Sequence, residues 1–484
     1  MLARLFAALL LLAPLAYAEE ESEMEEELKQ KRNVILLGKT QLLNDARAYP
    51  KFCKQNANRK RSELRKEIVA KLKQIAAREQ PKILKALGDP EGARSLWVVN
   101  AVAVSLTPKQ IEQAKKLKTV KWVYPAGAFP DESVKGKVSE VLKPARREPF
   151  SAKKKKIPWN LEMLHVPKVW EELHVTGAGV IVAMLDAGVN YKHQDLRRNI
   201  WINPKEVANN GKDDDGNGLV DDLYGFHFVR WKPEVLPGNV HHGTFTSSVV
   251  AGDGTGGKVT GVAPRARLMP LIAWGGPYLA ARAYQYALEQ GADVLSMSFS
   301  LPGLGNTRGL WRLMSEQACC AGLVQISGAG NFPRAKIPVQ IRIPEGIPCV
   351  ICAGGVTKKK KFPRFVSKGP VEWAGVEFYE DYPMPKGLIK PDVCAFPGPA
   401  IALCAPGDEG YLPDNNGRHG NSLSAPHVAG VCALILSAAP DTNVWRVKEI
   451  LEQTAKDIPP RGKDNETGAG LMNAYEAVKK ALEK

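Results

Sequence analysis

Apolar residues are patterned differently in the two parts of the chain. From Trp159 onward, short apolar runs recur at Gly179–Leu185, Leu268–Ala273, Val294–Phe299, Leu323–Ser327 and Val350–Ala353. Between and after them lie segments with apolar residues at helical spacing, such as Leu279–Glu289 and Val444–Ala455. Strands alternating with helices predict an α/β fold, a mostly parallel sheet flanked by helices. Earlier in the chain, residues 28–90 place Ile68, Leu72, Ile75, Ile83, Leu84 and Leu87 at helical spacing among Lys and Arg, which predicts one or two amphipathic helices. A strand-like run follows at Leu96–Leu106. Thr107 is a good N-cap with Pro108 at the first helical position, the helix ends near Lys118, and Val120–Tyr124 reads as another strand. Residues 95–125 therefore read as a compact β-α-β module in a small α+β domain.

At 484 residues the chain is too long for one ordinary core and suggests two or three units. Its 44% hydrophobic content with 43 Gly and 35 Pro reads as globular and loop-rich. Residues 1–18 read as a signal peptide: Arg4, the short apolar run Leu5–Leu15, then Ala16-Tyr17-Ala18 as a cleavage signature. The run is too short to span a bilayer, and no later stretch reads as a span. Export, to the exterior or a periplasm, is the expectation. Residues 19–27 carry seven Glu, and residues 131–156 are a polar, basic linker with Arg146-Arg147 and Lys153–Lys156. The expected division is 1–18 signal, 19–150 N-terminal domain and 151–484 main domain.

Placing the charge changes its meaning. The net charge is +16, but residues 1–156 hold 33 Lys+Arg against 18 Asp+Glu, whereas residues 157–484 hold 34 against 33. The basic excess sits outside the main domain, which argues against a nucleic-acid partner. Of eight Cys, only Cys53 lies in the N-terminal third. Seven remain, so at least one thiol there has no internal partner. Cys349 and Cys352 read as small side chains of a buried strand rather than as a metal or redox pair.

Acyl transfer needs a nucleophile, a base, an orienting acid and donors for the oxyanion. Asp186 ends an apolar strand, and it can either cap a turn or orient an imidazole. His241 and His242 precede the apolar run Phe245–Ala251. Ser422 sits between Gly420-Asn421 and a helix with Pro426 in its first turn, where backbone N–H groups can hold an anion; a plain N-cap is the alternative. Asn331 ends the Gly-rich loop Ser327-Gly328-Ala329-Gly330 and can offer an amide donor.

Together these segments resemble the subtilisin-like serine peptidases, the subtilases, from about Trp159 to Tyr475. Asp186-Ala187-Gly188 resembles the family's D-[ST]-G motif. His242-Gly243-Thr244 resembles its H-G-T motif and selects His242 over His241. Gly420-Asn421-Ser422-Leu423-Ser424-Ala425-Pro426 resembles G-T-S-M-A-x-P, and Ala329-Gly330-Asn331 resembles A-G-N. Gly261–Pro264, Lys390–Val393 and Gly468–Ala474 resemble further family segments, and the N-terminal module resembles its inhibitor-like propeptide. The resemblance implies a secreted serine endopeptidase, autoprocessed from a precursor, with Asp186, His242 and Ser422 as triad and Asn331 at the oxyanion. It implies protein or peptide substrates and the chain's own propeptide as intramolecular inhibitor and folding aid. The sequence departs at Ala187, where the family has Ser or Thr, and at Asn421, where it has Thr.

The resemblance further implies a substrate cleft edged by Ser298-Phe299-Ser300 and Gly328-Ala329-Gly330. Neither run contains an acid, which suggests an apolar or undemanding first pocket. Asp213, Asp215, Asn217 and Asp221 form a hard-oxygen cluster with the early spacing of a calcium loop. Tyr224 stands where an EF-hand needs its Glu, so a surface-loop Ca2+ site is the expectation. Asp195 matches a family calcium ligand. The competing reading is a noncatalytic exported protein-binding domain on the same scaffold, against which the intact Asp, His, Asn and Ser set counts.

Overall fold

Seven parallel strands form the centre of the main domain in the computed structural model, which describes residues 30–143, 149–301 and 307–483. They are β5 (Ile181–Leu185), β6 (Phe226–His227), β7 (Arg267–Ile272), β8 (Val294–Met297), β9 (Val324–Gly328), β10 (Ile351–Gly355) and β11 (Val393–Ala395). Their order is β11-β10-β9-β8-β5-β7-β6. Five of them fall within about two residues of the expected apolar runs. The other two are too short to show a period in sequence.

The chain leaves β5 for the edge strand β6, returns through β7 beside β5, and then crosses to β8 on the other side of β5. The connections therefore reverse direction at β5, which opens a crevice at the carboxyl ends of the central strands. Helices α6 (His242–Ala251), α7 (Pro277–Glu289), α8 (Arg308–Cys320) and α9 (Asn421–Ala438) flank this sheet. Helix α9 is long and apolar enough to cross a membrane by length and composition, which the sequence reading did not anticipate. It is nevertheless 83% buried inside the protein, as a core helix is.

The N-terminal sheet has the order β2-β3-β1-β4, with β1 (Arg32–Gly38), β2 (Arg94–Leu96), β3 (Ala101–Leu106) and β4 (Val120–Pro125). Its central strand β1 lies inside the segment expected to be helical. Only Val34–Leu37 is apolar there, and a run that short is ambiguous until partners bind both edges. Strands β3 and β4 both pair antiparallel with β1, so the expected β-α-β unit is split by a strand inserted between them. The expected strand at 96–106 is broken by a 3-10 turn at Trp97–Val99, after which Asn100 takes a left-handed φ of 40°. The expected start of the helix Pro108–Lys116 is observed: Thr107 and Gln110 form a reciprocal capping box. The helical expectation for residues 28–90 holds over α1 (Ala48–Gln55) and α2 (Arg61–Ala86).

One hydrophobic cluster runs through both units, joining Leu43, Ile68, Leu72, Trp97 and Val98 to the strands and helices of the main sheet. All eight cysteines are free thiols, with Cys349 and Cys352 buried. Residues 1–29, which include the expected signal peptide and acidic run, lie outside the described residues, as do Arg146 and Arg147.

Candidate active site

Asp186 is the first residue beyond β5, at the reversal point of the sheet. Its Oδ1 accepts hydrogen bonds from His242 Nδ1 at 2.7 Å and from its neighbour Ala187 N at 2.7 Å. Its Oδ2 accepts from Thr246 Oγ1 at 3.0 Å. Thr246 lies one turn along α6 from His242, and nothing in the sequence singled it out. It supplies a hydroxyl to a carboxylate that is followed by Ala187 rather than Ser or Thr. The carboxylate is thus held by three donors.

His242 opens α6. Gly243 must be glycine here, because a Cβ would meet the Gly188 carbonyl oxygen at 2.2 Å. This close approach draws the helix start onto the Asp186 loop. Among the described residues His242, not His241, bonds to Asp186. Burial pulls the His242 pKa down, but the charge of Asp186 and its hydrogen bond outweigh that, and Arg418 opposes them. The net shift is upward from 6.5. A general base must be neutral to accept a proton. The acid limb of kcat/KM against pH is therefore expected to have its midpoint above 6.5, and Arg418→Gln should move it higher still. A midpoint below 6.5 in a pH–rate profile would contradict this balance.

Ser422 is the second residue of α9. Its Oγ donates to the Ser298 carbonyl at 3.1 Å, and Ser298 Oγ donates back to the Ser422 carbonyl at 3.0 Å. Pro426 explains the second bond. It lies in the second turn of the helix, not the first, and has no N–H for the Ser422 carbonyl four residues before it. Ser298 takes that donor's place.

Asn421, the other departure from the family pattern, is fully buried. Its Nδ2 donates to the Gly330 carbonyl at 2.7 Å, and its backbone N–H donates to Asn331 Oδ1 at 3.0 Å. The oxygen of the Asn331 amide is thereby fixed, which orients its Nδ2. Gly420 has a φ of 150°, and a Cβ there would stand 3.2 Å from Asn331 Nδ2.

A cavity of about 500 Å³ begins at Asp186 and His242 and runs between Val240, Trp274, Gly275, Gly276, Phe299, Leu301 and Trp311. A recess of about 60 Å³ beside Ser422 and Asn331 is lined by Ser298, Phe299, Ser300, Gly328 and Gly330. Ala329 is buried and does not line it. Trp274 and Trp311 were not legible as cleft residues, since neither lies in a motif. Nor was Glu345. It is fully buried behind the recess, accepts from Ser300 Oγ at 2.5 Å, and leaves its second oxygen without a partner. Burial pushes its carboxyl up to about 7. The two runs edging the cleft contain no acid, but a third segment places one behind their wall.

The acidic loop is sorted differently from its sequence order. Oxygens of Glu206, Asp213 and Asp215 lie within 4.8 Å of one another. Glu206, missed in the sequence, holds the Asp214 and Asp215 N–H groups with Oε1, while Oε2 is buried without a partner. Asn217 Oδ1 accepts from Leu219 N, and its Nδ2 donates to Asp222. Asp221 is not brought in; its two oxygens accept from Asn210 N and Gly211 N. Asp195 lies apart, held by Gly256 N at 2.7 Å and by the Tyr411 hydroxyl at 2.6 Å. Burial raises the Asp222 carboxyl to about 8, with Asp215 and Glu206 adding to the shift.

A family model described as the Subtilase family matches residues 177–470, which contain all four residues around the cleft. Fervidolysin of Fervidobacterium pennivorans is 27% identical over 349 residues, 67% of this chain and 44% of that protein. Bacillopeptidase F of Bacillus subtilis is 26% identical over 494 residues, 93% of this chain and 31% of that protein. Subtilisin-like protease 1 of Plasmodium vivax is 24% identical over 351 residues, 69% of this chain and 52% of that protein. The chain spans about half or less of the length of these relatives.

Proposed function

The chain belongs to the subtilase family, and from that premise we propose that it is a secreted serine endopeptidase acting on protein or peptide substrates. The observation that carries the reading is the 2.7 Å bond from His242 Nδ1 to Asp186 at a cleft that also holds Ser422 and Asn331. Asp186 fixes the tautomer in which His242 Nε2 can accept the Ser422 proton. Ser422 Oγ then attacks the scissile carbonyl carbon. The carbonyl oxygen becomes an oxyanion between the Ser422 backbone N–H and Asn331 Nδ2. The imidazolium returns its proton to the leaving amine, and water repeats the sequence on the acyl-enzyme. The test is a fluorophosphonate probe with peptide mapping, run beside a peptide-hydrolysis assay. A single adduct on Ser422 with hydrolysis is expected; no adduct and no hydrolysis would overturn the reading.

Export rests on residues 1–18, and autoprocessing is placed in the connector near residues 145–157. The N-terminal unit serves as folding aid and as intramolecular inhibitor. Its support is the seating of Ala126 and Gly127 on the cleft rim, where the Ala126 carbonyl accepts from Tyr278 N at 3.2 Å.

A structural Ca2+ held by Glu206, Asp213 and Asp215 also belongs to this reading. The partnerless buried oxygen of Glu206 and the convergence of three carboxylates fit a hard cation. The ion would neutralise those carboxylates and pin the loop. Ca2+ at about a hundred times its dissociation constant stabilises by about 2.7 kcal/mol. Excess chelator is thus expected to lower the thermal midpoint by about 3 °C, reversed by added Ca2+. An unchanged midpoint in calorimetry removes the site.

A further inference from the structure

The recess lined by Ser422 and Asn331 is where, on the peptidase reading above, the side chain nearest the scissile carbonyl has to go. That side chain hangs from the α-carbon bonded to the carbon that Ser422 attacks. The main cavity opens instead at Asp186 and His242. The recess is small. Its volume is about 60 Å³, and a water needs about 10–15 Å³ of such space, so about four or five water-sized atoms fill it. An alanine, serine or valine side chain is within that limit, and a phenylalanine ring is beyond it.

One short segment closes the recess from behind. The Leu301 N–H donates to the Ile343 carbonyl at 2.9 Å, and this bridge sets residues 342–345 against Ser300. Glu345 is fully buried, and its Oε1 accepts from Ser300 Oγ at 2.5 Å and from the Arg342 N–H at 3.1 Å. The Arg342 guanidinium lies over Phe332, 3.5 Å from the ring centroid, and Phe332 lines the recess as Ser300 does. Trp373 Nε1 donates to the Gly346 carbonyl at 2.9 Å and backs the turn. Residues 342–345 thus brace two walls of the recess at once.

Stability alone does not account for an acid at this position. Glu345 Oε2 is buried without a hydrogen-bond partner, a loss that an apolar side chain of similar size would not incur. What the carboxyl supplies is an acceptor for the Ser300 hydroxyl, which an apolar filler lacks. It fixes the wall as well as filling the space behind it.

We propose that Ser300 and Glu345 set the specificity of the recess, closing it so that the enzyme cleaves after residues with short side chains. Ser300 is the wall that the substrate meets, and Glu345 is the positioning residue that acts through it. Glu345→Ala empties the space behind the wall, and Ser300→Gly removes the partition between that space and the recess.

The test reads selectivity, with active sites counted by the fluorophosphonate label on Ser422. Initial rates are measured on peptides that differ only at the residue before the scissile bond: Ala, Ser, Val, Phe or Lys. The unaltered enzyme is expected to favour Ala over Phe by about a hundred-fold in kcat/KM. Ser300→Gly with Glu345→Ala should move that ratio toward Phe by about tenfold or more, chiefly through a lower KM for the Phe peptide. Glu345→Gln keeps the volume and can still accept from Ser300, so it should preserve the original ranking. Equal cleavage after Phe and Ala by the unaltered enzyme overturns the proposal, as does an unmoved ratio in the double variant. A preference for Lys that Glu345→Gln abolishes also overturns it, because charge and not size would then be read. If the double variant fails to fold, the ranking of the unaltered enzyme and Ser300→Gly alone still decide. Labelling of Ser422 with the wrong ranking sinks this inference alone, whereas neither label nor hydrolysis of any peptide sinks the peptidase reading and this inference together.

Discussion

Ser422→Ala is expected to lower kcat/KM for a peptide substrate about a million-fold while leaving the fold in place. This is the scale found when the nucleophile of a relative in the same family is removed. The geometry supports both halves of the expectation. Ser422 carries the hydroxyl that lines the recess beside Asn331. Without it, Asn331 and the helix N-terminus can stabilise only attack by water, which leaves a residual of about a thousand- to ten-thousand-fold over the uncatalysed reaction. The structural loss is small. One bond to the Ser298 carbonyl disappears, while the reciprocal bond from Ser298 Oγ to the Ser422 carbonyl remains. Initial rates on a chromogenic peptide and a thermal midpoint within about 2 °C of the parent would agree with this. Retention of a tenth or more of the parent rate would remove Ser422 as nucleophile.

The second large effect is expected at Asp186→Asn, with kcat down by about ten-thousand-fold. Asp186 is ringed by donors: His242 Nδ1, Ala187 N and Thr246 Oγ1. A carboxylate accepts from all three, but an amide cannot. If the Asn Nδ2 faces His242, it donates to Nδ1 and drives the ring proton to Nε2. The ring then cannot accept the Ser422 proton. The variant carries a second signature. The two influences that raise the His242 pKa both come from Asp186, whereas burial and Arg418 lower it. The acid limb should therefore move to lower pH in whatever activity remains. A pH–rate profile with an unmoved limb, or a loss under a hundred-fold, would mean that Asp186 does not orient His242.

Local sequence carried the fold class, and resemblance to the family's motifs picked out the four residues around the cleft. A continuous apolar run ending in Asp186, a His-Gly-Thr step into a helix and a Gly-Asn-Ser step into another are local signals. They depend on backbone period and on steric constraints set by neighbouring residues, as at Gly243, where a Cβ would strike Gly188. The strand β1 was hidden for the converse reason. Four apolar residues among charges suit helix or strand equally, and pairing with β3 and β4 decides between them.

By itself the sequence determined an alternating α/β domain and its preceding basic unit, because both are written in spacing and charge along the chain, whereas the ordered Asp, His, Asn and Ser set was legible through its resemblance to the subtilase motifs. Tertiary structure alone decided which groups meet. It brought Thr246 to Asp186, Glu345 behind Ser300, Glu206 to Asp213 and Asp215, and Arg61 to Asp293 across 232 positions of sequence. It also buried helix α9, apolar and long enough by composition to cross a membrane, inside the main domain. Such pairings depend on how elements pack and on which buried charges must be matched there, and no local periodicity records either.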